Sequence, residues 1–249
     1  MLSEERYQLI LKAMEEKGSA TVQELTQLTG TSESTIRRDL TAMDQLGLVH
    51  KVHGGATLPQ AVYSTREEDM AYKHTLYQAE KQRIGQYAAS LVRKNDFVYI
   101  DAGTTTEAMI PYLTESEAVY VTNGTGHADK LIRKGFNVYI PGGQIRRETH
   151  AVVGEETVES LKKYNFTIGF FGTNGISTKA GFSTPDMHEA RVKQIALEQC
   201  RRAYVLTDAS KFNQITPITF AALDKAAIIT TQVEDEIYQE KTEIVEVDR

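Results

Sequence analysis

The chain contains 249 residues, of which 41% are hydrophobic and 25% are charged, and its net charge at pH 7 is −6. This length suits one small and one mid-sized domain, and the composition is that of an ordinary globular protein. No apolar run approaches the roughly 20 residues that span a bilayer, and residues 1–6 show neither the basic nor the apolar region of a signal peptide, so we expect a cytoplasmic protein without a membrane partner.

Two short helices are predicted at the start of the chain. The first has an apolar stripe at helical spacing, made of Tyr7, Ile10, Leu11 and Met14. Thr21 and Glu24 have the spacing of a capping box, in which a hydroxyl accepts a hydrogen bond from a helix-end N–H and a glutamate reaches back to the cap. The second helix is therefore expected to begin near Thr21 and to end near Gly30.

A third helix and a short strand follow. The helix is predicted to begin at Ser32 and to bury the apolar positions Ile36, Leu40 and Met43. Its other face presents polar side chains, namely Ser34, Thr35, Arg37 and Arg38. Residues 48–55 then alternate and turn at a glycine pair, which is typical of a strand and turn that we call the wing.

Two short helices joined by a glycine-containing turn, with hydroxyls and guanidinium groups on the second, are typical of a helix-turn-helix. Such a helix fits the major groove, where arginine can donate two hydrogen bonds to guanine or contact phosphates. The candidate DNA-binding residues are Thr21, Ser32, Ser34, Thr35, Arg37, Arg38, Lys51, His53, Gly54 and Gly55. The pattern also fits a helical protein-interaction domain in which Arg37 and Arg38 are merely solvated.

The charge of this region permits DNA binding without demonstrating it. The first 58 residues contain six basic and eight acidic residues, whereas residues 34–58 contain three basic and two acidic residues together with His50 and His53. Attraction to phosphates depends on the charge of the contacting face, so a local excess of cations suffices even where the total is negative.

A polar segment over residues 59–77 begins at Pro59 and shows no sustained period, which predicts an interdomain linker. The linker can pack on either of its neighbours. The expected organisation is therefore a DNA-binding domain over residues 1–58, the linker, and a larger domain over residues 78–249.

Strands and helices alternate in the larger domain. Predicted helices include residues 78–93, 155–164 and 189–202. Predicted strands cover residues 97–100, 119–121, 137–140, 166–171, 203–206 and 227–230. This alternation predicts an α/β fold with a mostly parallel sheet covered by helices on both faces. The one cysteine, Cys200, lies in the last predicted helix and is expected to be a buried structural thiol.

Polar and glycine-rich motifs follow the predicted strands, and ligands of parallel sheets collect at the carboxyl ends of the strands. The turn 103–106 offers backbone N–H groups and three hydroxyls, which suit a phosphate, although a threonine-rich helix start is commonly an ordinary cap. Cations from neighbouring segments favour an anionic ligand. The candidate ligand-binding residues are Asp101, Gly103, Thr104, Thr105, Thr106, Thr122, Asn123, Gly142, Gly143, Arg146, Arg147, Asn174, Glu189, Lys193 and Lys211.

Two sets of motifs resemble one known family. Residues 32–40 and 52–56, SESTIRRDL and VHGGA, look like the signature of the DeoR family of bacterial sugar-operon regulators. The larger domain is similar to the effector domain of that family, which shares its fold with ribose-5-phosphate isomerase, on DAGTTT at 101–106, TN at 122–123, GG at 142–143, GTNG at 172–175 and DASKF at 208–212. The resemblance implies that the third helix reads an operator and that the HGG turn belongs to the wing.

Within the family, the likeness is greatest to Gram-positive repressors of fructose phosphotransferase operons, which implies fructose 1-phosphate as the inducer. Double-stranded operator DNA and a phosphorylated sugar are then the expected partners. A dimer or tetramer is expected because two recognition helices must meet a repeated or palindromic operator. A repressor that responds to another sugar phosphate, such as tagatose 6-phosphate, and an activator with the same two domains remain open.

An isomerase with an accessory helical domain is the alternative of a different class. The isomerase carries an acidic segment where this chain has residues 172–176, and aldose–ketose isomerisation needs a carboxylate base. Asn174 can bind a hydroxyl but cannot act as that base. Glu189 could, yet its spacing to Lys193 equally predicts an ion pair within one helix. We therefore expect a protein without catalysis, cofactor or metal.

Overall fold

The computed structural model describes residues 3–17, 19–45, 48–57, 62–63, 70–233 and 235–247. Contacts divide the chain into two units, Met1–Ala61 and Val62–Arg249. The described parts of the predicted linker, residues 62–63 and 70–77, belong to the second unit. The predicted boundary at residues 58–59 lies outside the described residues. Within the described part of the chain, no helix combines the length and the apolar character that crossing a membrane requires.

The first unit contains helices and a small sheet. Its helices are α1 (Ser3–Lys17), α2 (Val22–Thr29) and α3 (Glu33–Gln45), and its strands are β1 (Ser19–Thr21), β2 (His50–Val52) and β3 (Gly55–Thr57). The sheet is antiparallel in the order β1-β3-β2. These elements confirm the predicted winged helix-turn-helix. Strand β1 was not predicted, since three residues are too few to show alternation.

An apolar cluster holds the first unit together. The predicted inward residues Ile36, Leu40 and Met43 are fully buried, as are Ile10 and Met14 of α1. One ion pair is added to this core: Arg6 of α1 donates from Nε to Asp39 Oδ2 at 2.8 Å and from Nη2 to Oδ1 at 3.0 Å. This two-bond geometry fixes α1 against α3.

The second unit alternates helices and strands. Its helices are α4 (Met70–Thr75), α5 (Gln78–Ser90), α6 (Thr104–Glu107), α7 (Thr125–Arg133), α8 (Glu155–Leu161) and α9 (Met187–Glu198). Its strands are β4 (Val62–Tyr63), β5 (Phe97–Ile100), β6 (Val119–Thr122), β7 (Asn137–Tyr139), β8 (Gln144–Ile145), β9 (Val152–Val153), β10 (Ile168–Gly172), β11 (Gly175–Ser177), β12 (Gly181–Thr184), β13 (Ala203–Leu206), β14 (Gln214–Ile215), β15 (Ile218–Ala221), β16 (Ala227–Thr230) and β17 (Ile244–Glu246).

A parallel sheet of seven strands forms the centre of this unit, in the order β17-β16-β13-β10-β5-β6-β7. Successive residues of β5 enter different apolar clusters: Val98 and Ile100 pack with α5 on one face, and Tyr99 packs with α8 and α9 on the other. Because strand side chains alternate, both faces of the sheet are buried. The predicted α/β fold with a mostly parallel sheet is confirmed.

Three small sheets were not predicted. They are the antiparallel sheet β11-β12-β15, the hairpin β8-β9 and the parallel pair β4-β14. Their strands have two to four residues, which is too short for an alternation pattern to be distinguished from a loop. These sheets matter because they place the loops that surround the carboxyl ends of the central strands.

Candidate functional sites

The candidate DNA-reading helix α3 begins with a network of hydroxyls. The Oγ of Ser32 accepts a hydrogen bond from the backbone N–H of Thr35 at 3.3 Å and lies 2.9 Å from Oγ of Ser34. Ser32 therefore caps the helix, as its residue type favours. The exposed hydroxyls of Ser32 and Ser34 lie at the amino end of α3, the end that enters the groove in helix-turn-helix proteins.

Arg37 and Arg38 are both exposed on α3. Arg37 lies 3.2 Å from Glu33 across one helical turn, and its side chain remains 55% exposed. The adjacent carboxylate, Asp39, faces inward and pairs with Arg6. Asp39 is buried, so the guanidinium groups of Arg37 and Arg38 face solvent without this adjacent carboxylate beside them. Exposed guanidinium groups are what recognition of phosphate or guanine requires.

The wing is attached to α3 by hydrogen bonds. The backbone N–H of Lys51 donates to Asp44 at 2.8 Å, and the Lys51 ammonium donates to Thr41 Oγ1 at 2.6 Å. His53 is exposed in the turn, and the following Gly54 has φ +88°, a conformation that other residues rarely adopt. These hydrogen bonds hold Lys51 against α3, and His53 lies exposed in the turn that follows.

Two candidate DNA-binding residues have structural roles. Thr21 forms the predicted capping box: it accepts from the Glu24 N–H at 3.2 Å, and its own N–H donates to the Glu24 carboxylate at 2.8 Å. A Cβ on Gly55 would lie 2.3 Å from the carbonyl oxygen of Ala20, so glycine lets β3 pass β1 closely. These roles explain both residues without DNA, and their contacts to DNA stay predictions.

A polar pocket, here called the sensor pocket, lies at the carboxyl ends of the neighbouring strands β5, β10 and β13. This is the edge at which parallel sheets bind ligands. The candidate residues that line it are Gly103, Thr104, Thr105, Asn174, Glu189, Lys193 and Lys211. Their predicted convergence from four separate segments is therefore seen in the fold.

The turn after β5 differs from the prediction in one respect. The helix that follows it, α6, has only four residues, so its dipole offers little to a phosphate. Thr106 is fully buried, and its hydroxyl donates to the carbonyl of Asp101 at 2.6 Å, so it supports the turn from beneath. The groups left for an anion are the hydroxyls of Thr104 and Thr105 and the cations around them.

A buried ion pair lies beneath the sensor pocket: Lys193 lines the pocket, whereas its partner Asp101, predicted to bind the ligand, does not. Lys193 donates to Asp101, whose carboxylate also accepts from the N–H of Gly172 at 3.0 Å. Asp101 is 1% and Lys193 4% exposed at the side chain. Burial raises the pKa of Asp101, while the Lys193 ammonium and the Gly172 N–H oppose that rise. The ion pair of Lys193 with Glu189, which the spacing allowed as one of two alternatives, is not formed, because Lys193 pairs with Asp101 and Glu189 with Arg146.

Glu189 forms another part of the pocket wall and is held from the β8–β9 hairpin. Its carboxylate accepts from Thr149 at 2.5 Å and from Arg146 at 3.2 Å, and Arg146 also contacts Asp186 at 3.1 Å. Arg146 thus forms ion pairs with three carboxylates, those of Glu148, Asp186 and Glu189, and does not line the pocket as predicted. Thr149 does line the pocket, although sequence reasoning missed it.

The remaining candidates position loops. Asn123 accepts from the N–H of Ala102 at 2.8 Å, and Thr122 accepts from the N–H of Gly124 at 3.0 Å, so both hold backbone near the pocket. Gly142 accepts from Thr157 at 2.8 Å, and Gly143 has φ +145°. Arg147 lines an adjacent cleft with His127 and His150. None of these five predicted residues is among those that line the sensor pocket.

A buried histidine lies beneath the turn. The Nε2 of His127 lies 3.2 Å from the Thr106 hydroxyl, and His127 is 2% exposed. Burial lowers its pKa to about 4, despite the opposing charge of Glu107. His127 is therefore neutral at pH 7, and the carboxylate of Glu107 pairs with Lys130.

Two more cations line the sensor pocket, and sequence reasoning missed both. Lys81 of α5 is 7% exposed, and its ammonium donates to the backbone carbonyl of Lys73 in α4 at 2.5 Å. Both side chains line the pocket, as does Asp208. No motif marks Lys73 or Lys81, because they precede the threonine turn by more than 20 residues and meet it only in the fold.

Cys200 lies two residues beyond the end of α9, not within a helix as predicted. Its thiol donates to the carbonyl of Ala196 at 3.1 Å, and burial raises its pKa. The thiolate is the reactive form of cysteine, so this environment fits the predicted structural thiol.

Two family models match the chain. A DeoR-like helix-turn-helix domain matches residues 6–62, and a DeoR C terminal sensor domain matches residues 77–233. The first range includes α3 and the wing. The second includes the residues that line the sensor pocket except Met70, Lys73 and Leu76.

Curated relatives match over almost the full chain. The HTH-type transcriptional regulator FruR of Bacillus subtilis is 44% identical over 97% of both chains. A lactose phosphotransferase system repressor of Staphylococcus aureus is 31% identical, covering 98% of this chain and 97% of its own. The regulator IolR of Bacillus subtilis is 30% identical over 89% of this chain and 88% of its own.

Solved structures match more weakly and over about half of their length. Ribose 5-phosphate isomerase A of Methanocaldococcus jannaschii matches with a TM-score of 0.39 and 14% identity over 54% of each chain. The delta subunit of eIF2B from Chaetomium thermophilum matches with a TM-score of 0.41 and 15% identity, covering 55% of this chain and 49% of its own. A likeness at this level carries no argument about activity.

Proposed function

The chain belongs to the DeoR family of transcriptional regulators, and from this premise we propose that a phosphorylated sugar bound in the sensor pocket releases it from operator DNA. Members of this family are transcription factors and not enzymes, so the isomerase alternative is set aside. The proposal concerns three finer points: the residues that read DNA, the class of ligand and the sugar itself.

Arg37 and Arg38 are proposed to contact the operator. They are exposed on α3, and the carboxylate nearest to them in sequence is buried in a pair with Arg6. Lys51 and His53 of the wing are proposed to contact phosphates. A protein with two such helices must be at least a dimer to bind a palindromic site, and we propose a dimer or a tetramer. Access to chromosomal DNA implies a cytoplasmic location.

One observation carries the ligand class: the sensor pocket is lined by both cations and acceptors. Lys81, Lys211, Thr104 and Thr105 supply positive charge and hydroxyls, which suit a phosphate. Acceptors that suit sugar hydroxyls come from Asn174, Glu189 and Asp208. A phosphorylated polyol offers an anion to the cations and hydroxyls to the acceptors, whereas a free sugar offers no negative charge.

Fructose 1-phosphate is the proposed sugar. The support is the 44% identity to a regulator named FruR, together with the sequence resemblance to repressors of fructose phosphotransferase operons. Tagatose 6-phosphate is the second candidate. It is included in the test because the S. aureus relative is named as a lactose phosphotransferase system repressor.

Two titrations test the proposal. Thermal unfolding is measured with fructose 1-phosphate, fructose 6-phosphate, tagatose 6-phosphate and ribose 5-phosphate, with fructose and inorganic phosphate as controls. A ligand at 100 times its dissociation constant is expected to stabilise the fold by about 2.7 kcal/mol. The same ligand should release a fluorescent operator duplex in an anisotropy assay. If no phosphorylated sugar changes either signal, the ligand proposal is wrong; if only another sugar does, the fructose assignment is wrong.

A further inference from the structure

The central sheet of the second unit has two edges of different chemistry. Strand β17 forms one edge, and the sequence around it, residues 240–248, carries four carboxylates and one lysine. Strand β7 forms the other edge, and residues 136–145, which contain it, include no charged side chain. An open strand edge is a template for pairing with another strand, and charged side chains are a common protection against such pairing. The β17 edge is therefore protected by charge, and the β7 edge is not.

The backbone groups on the outer side of β7 can be assigned from its neighbour β6. The N–H of Val119 in β6 donates to the carbonyl of Asp96 at 2.9 Å, on the side of β5. Successive residues of a paired strand direct these groups to opposite sides, so Tyr120 is the residue that bonds to β7. Its register partner Val138 then directs its own N–H and C=O away from β6. In the described part of the chain, no strand pairs with β7 on that outer side.

Large apolar side chains are exposed along the same edge. Tyr139 is 51% and Ile140 45% exposed. Val138 packs with the apolar cluster beneath α5 and α7, so Tyr139 projects from the other face of the strand. Both faces of the sheet therefore end at β7 in apolar surface.

Helix α7, which packs on β7, adds one more apolar residue to this edge. Lys130, Arg133 and Lys134 line a cleft with Tyr112, so this side of α7 faces the interior strands. Ile132 lies on the opposite side of the helix, toward the open edge, and is 61% exposed. Ile132, Val138, Tyr139 and Ile140 are together called the edge patch.

From this arrangement we propose that β7 pairs in antiparallel with β7 of a second copy of this chain, about a twofold axis beside Val138, with the edge patch as the apolar part of the interface. In this register the two copies of Val138 exchange two N–H···O=C hydrogen bonds, and the two central sheets become one continuous sheet. Tyr139 then lies opposite Asn137 of the partner subunit and diagonal to Tyr139 of the partner subunit.

The charges favour a second copy as the occupant. Because each chain has a net charge of −6, two copies repel each other over much of their surface, and residues 136–145 offer an uncharged place of contact. A strongly charged peptide strand would find no opposite charge in these ten residues. Pairing of β7 with β17 of another copy would bring carboxylates to the edge patch and would continue as a filament, whereas the twofold contact closes as a dimer.

The inference goes beyond the proposed function, which calls for at least two copies to meet a palindromic operator and leaves open which surface joins them. The edge patch belongs to the sensor domain and lies outside the set of residues that line the sensor pocket. Substitutions in the patch therefore test the assembly without altering the proposed ligand contacts.

Sedimentation velocity of the full chain tests the interface through Tyr139→Asp. This substitution removes an aromatic contact and places two carboxylates at diagonal positions across the axis, so the dissociation constant of the dimer should rise by at least about tenfold. The matched control is Tyr87→Asp, a tyrosine of α5 that is 37% exposed and lies away from the edge. Its dimer constant should stay within about twofold of wild type.

A charge exchange separates a lost interface from a lost fold. Tyr139→Lys should also weaken the dimer, because two ammonium groups then meet across the axis. An equimolar mixture of Tyr139→Asp and Tyr139→Lys should form mixed dimers more tightly than either variant pairs with itself, as measured by native mass spectrometry. Chains that fail to fold would not recover association on mixing.

The outcomes distinguish this inference from the proposed function. A Tyr139→Asp chain that keeps the wild-type dimer constant, or a mixture that associates no better than its separate components, would overturn the β7 interface and leave the proposed function intact. A wild-type tetramer that falls to a dimer in Tyr139→Asp supports the interface. A wild-type chain that is monomeric at concentrations at which it binds the operator duplex would overturn both this inference and the proposed dimer, while the sugar phosphate titrations still decide the ligand.

Discussion

The two candidate sites of this protein are built in opposite ways. On α3 the cations proposed to contact DNA, Arg37 and Arg38, are exposed, and the packing beneath them is apolar apart from the pair of Arg6 with Asp39. In the sensor pocket, charged side chains such as Lys193 and Asp101 are themselves buried and paired with each other. The DNA-binding surface lies on top of its core, whereas the pocket is part of its core.

This difference in burial follows from the molecules that the two sites are proposed to bind, DNA at one and a small ligand at the other. DNA brings its phosphates to the protein surface, so exposed cations suffice and remain hydrated until binding. A small ligand must be enclosed, and each polar group that encloses it has to be satisfied when the ligand is absent. Substitutions in α3 should therefore change function with little effect on stability, while substitutions in the pocket should change both.

The largest expected effect is at the buried pair. Asp101→Asn leaves the Lys193 ammonium without its counter-charge and should destabilise the second unit by about 3–5 kcal/mol, measured by chemical denaturation. The double variant with Lys193→Met should recover a large part of that loss. The exposed pair Asp224–Lys225 is the control, because Asp224→Asn should cost less than about 0.5 kcal/mol. Equal losses of stability in Asp101→Asn and Asp224→Asn would contradict the expected difference between the buried and the exposed ion pair.

The next largest effect is a pH dependence at His127. Its pKa in the fold is about 4, against roughly 6.5 in the unfolded chain, so the unfolded chain takes up the proton first. The stability is fully present above pH 6.5 and falls as the pH decreases toward 4, by roughly 3 kcal/mol in total. Denaturation between pH 7 and 4 measures this, and the slope should be smaller in His127→Gln. An unchanged slope would assign the dependence to other groups.

On the DNA-binding surface, Arg37→Ala should lower operator affinity by about 1–3 kcal/mol if a base contact is lost, with stability within about 0.5 kcal/mol of wild type. The matched control is Arg133→Ala in the second unit, since Arg133 also makes an exposed pair across one helical turn, with Asp129. Anisotropy with an operator duplex measures both variants. An Arg37→Ala chain with full operator affinity would contradict the reading role of α3.

The smallest effect distinguishes the two roles of Thr21. If it serves only as a helix cap, Thr21→Ala should destabilise the first unit by about 1 kcal/mol, and Thr21→Ser should behave as wild type because serine also caps. Operator affinity, measured with the chain fully folded, should then be the same in both variants. A loss of operator affinity in a fully folded Thr21→Ala chain that Thr21→Ser does not share would restore the predicted contact of the hydroxyl with DNA.

Much of the fold was predictable because its signals are local. The apolar stripe of α3 and the capping box at Thr21 are periodic or fixed in spacing, and both are found in the structure. The strands of the parallel sheet are continuous apolar runs, which follow from burial on both faces. The turn 103–106 was found because polar residues directly after such a strand must lie at the sheet edge.

The details of the sensor pocket depended on contacts between distant residues. Lys193 pairs with Asp101, 92 positions away, and Arg146 with Glu189, 43 positions away. A sequence shows only that these charges exist. Their partners depend on the paths of loops that two-residue strands such as β8 and β9 anchor, and strands that short leave no period to detect.

The sequence by itself therefore determined the order of the two domains, the main helices and central strands, and the edge of the sheet where a ligand is proposed to bind, because each of these is a consequence of spacing along the chain. Only the tertiary structure decided that Lys193 belongs to Asp101 and that the linker supplies Lys73 to the pocket. A buried charge is stable only when it pairs with an opposite charge close to it in space. Packing decides which segments that are far apart in sequence become neighbours, so the sequence alone does not show the partner.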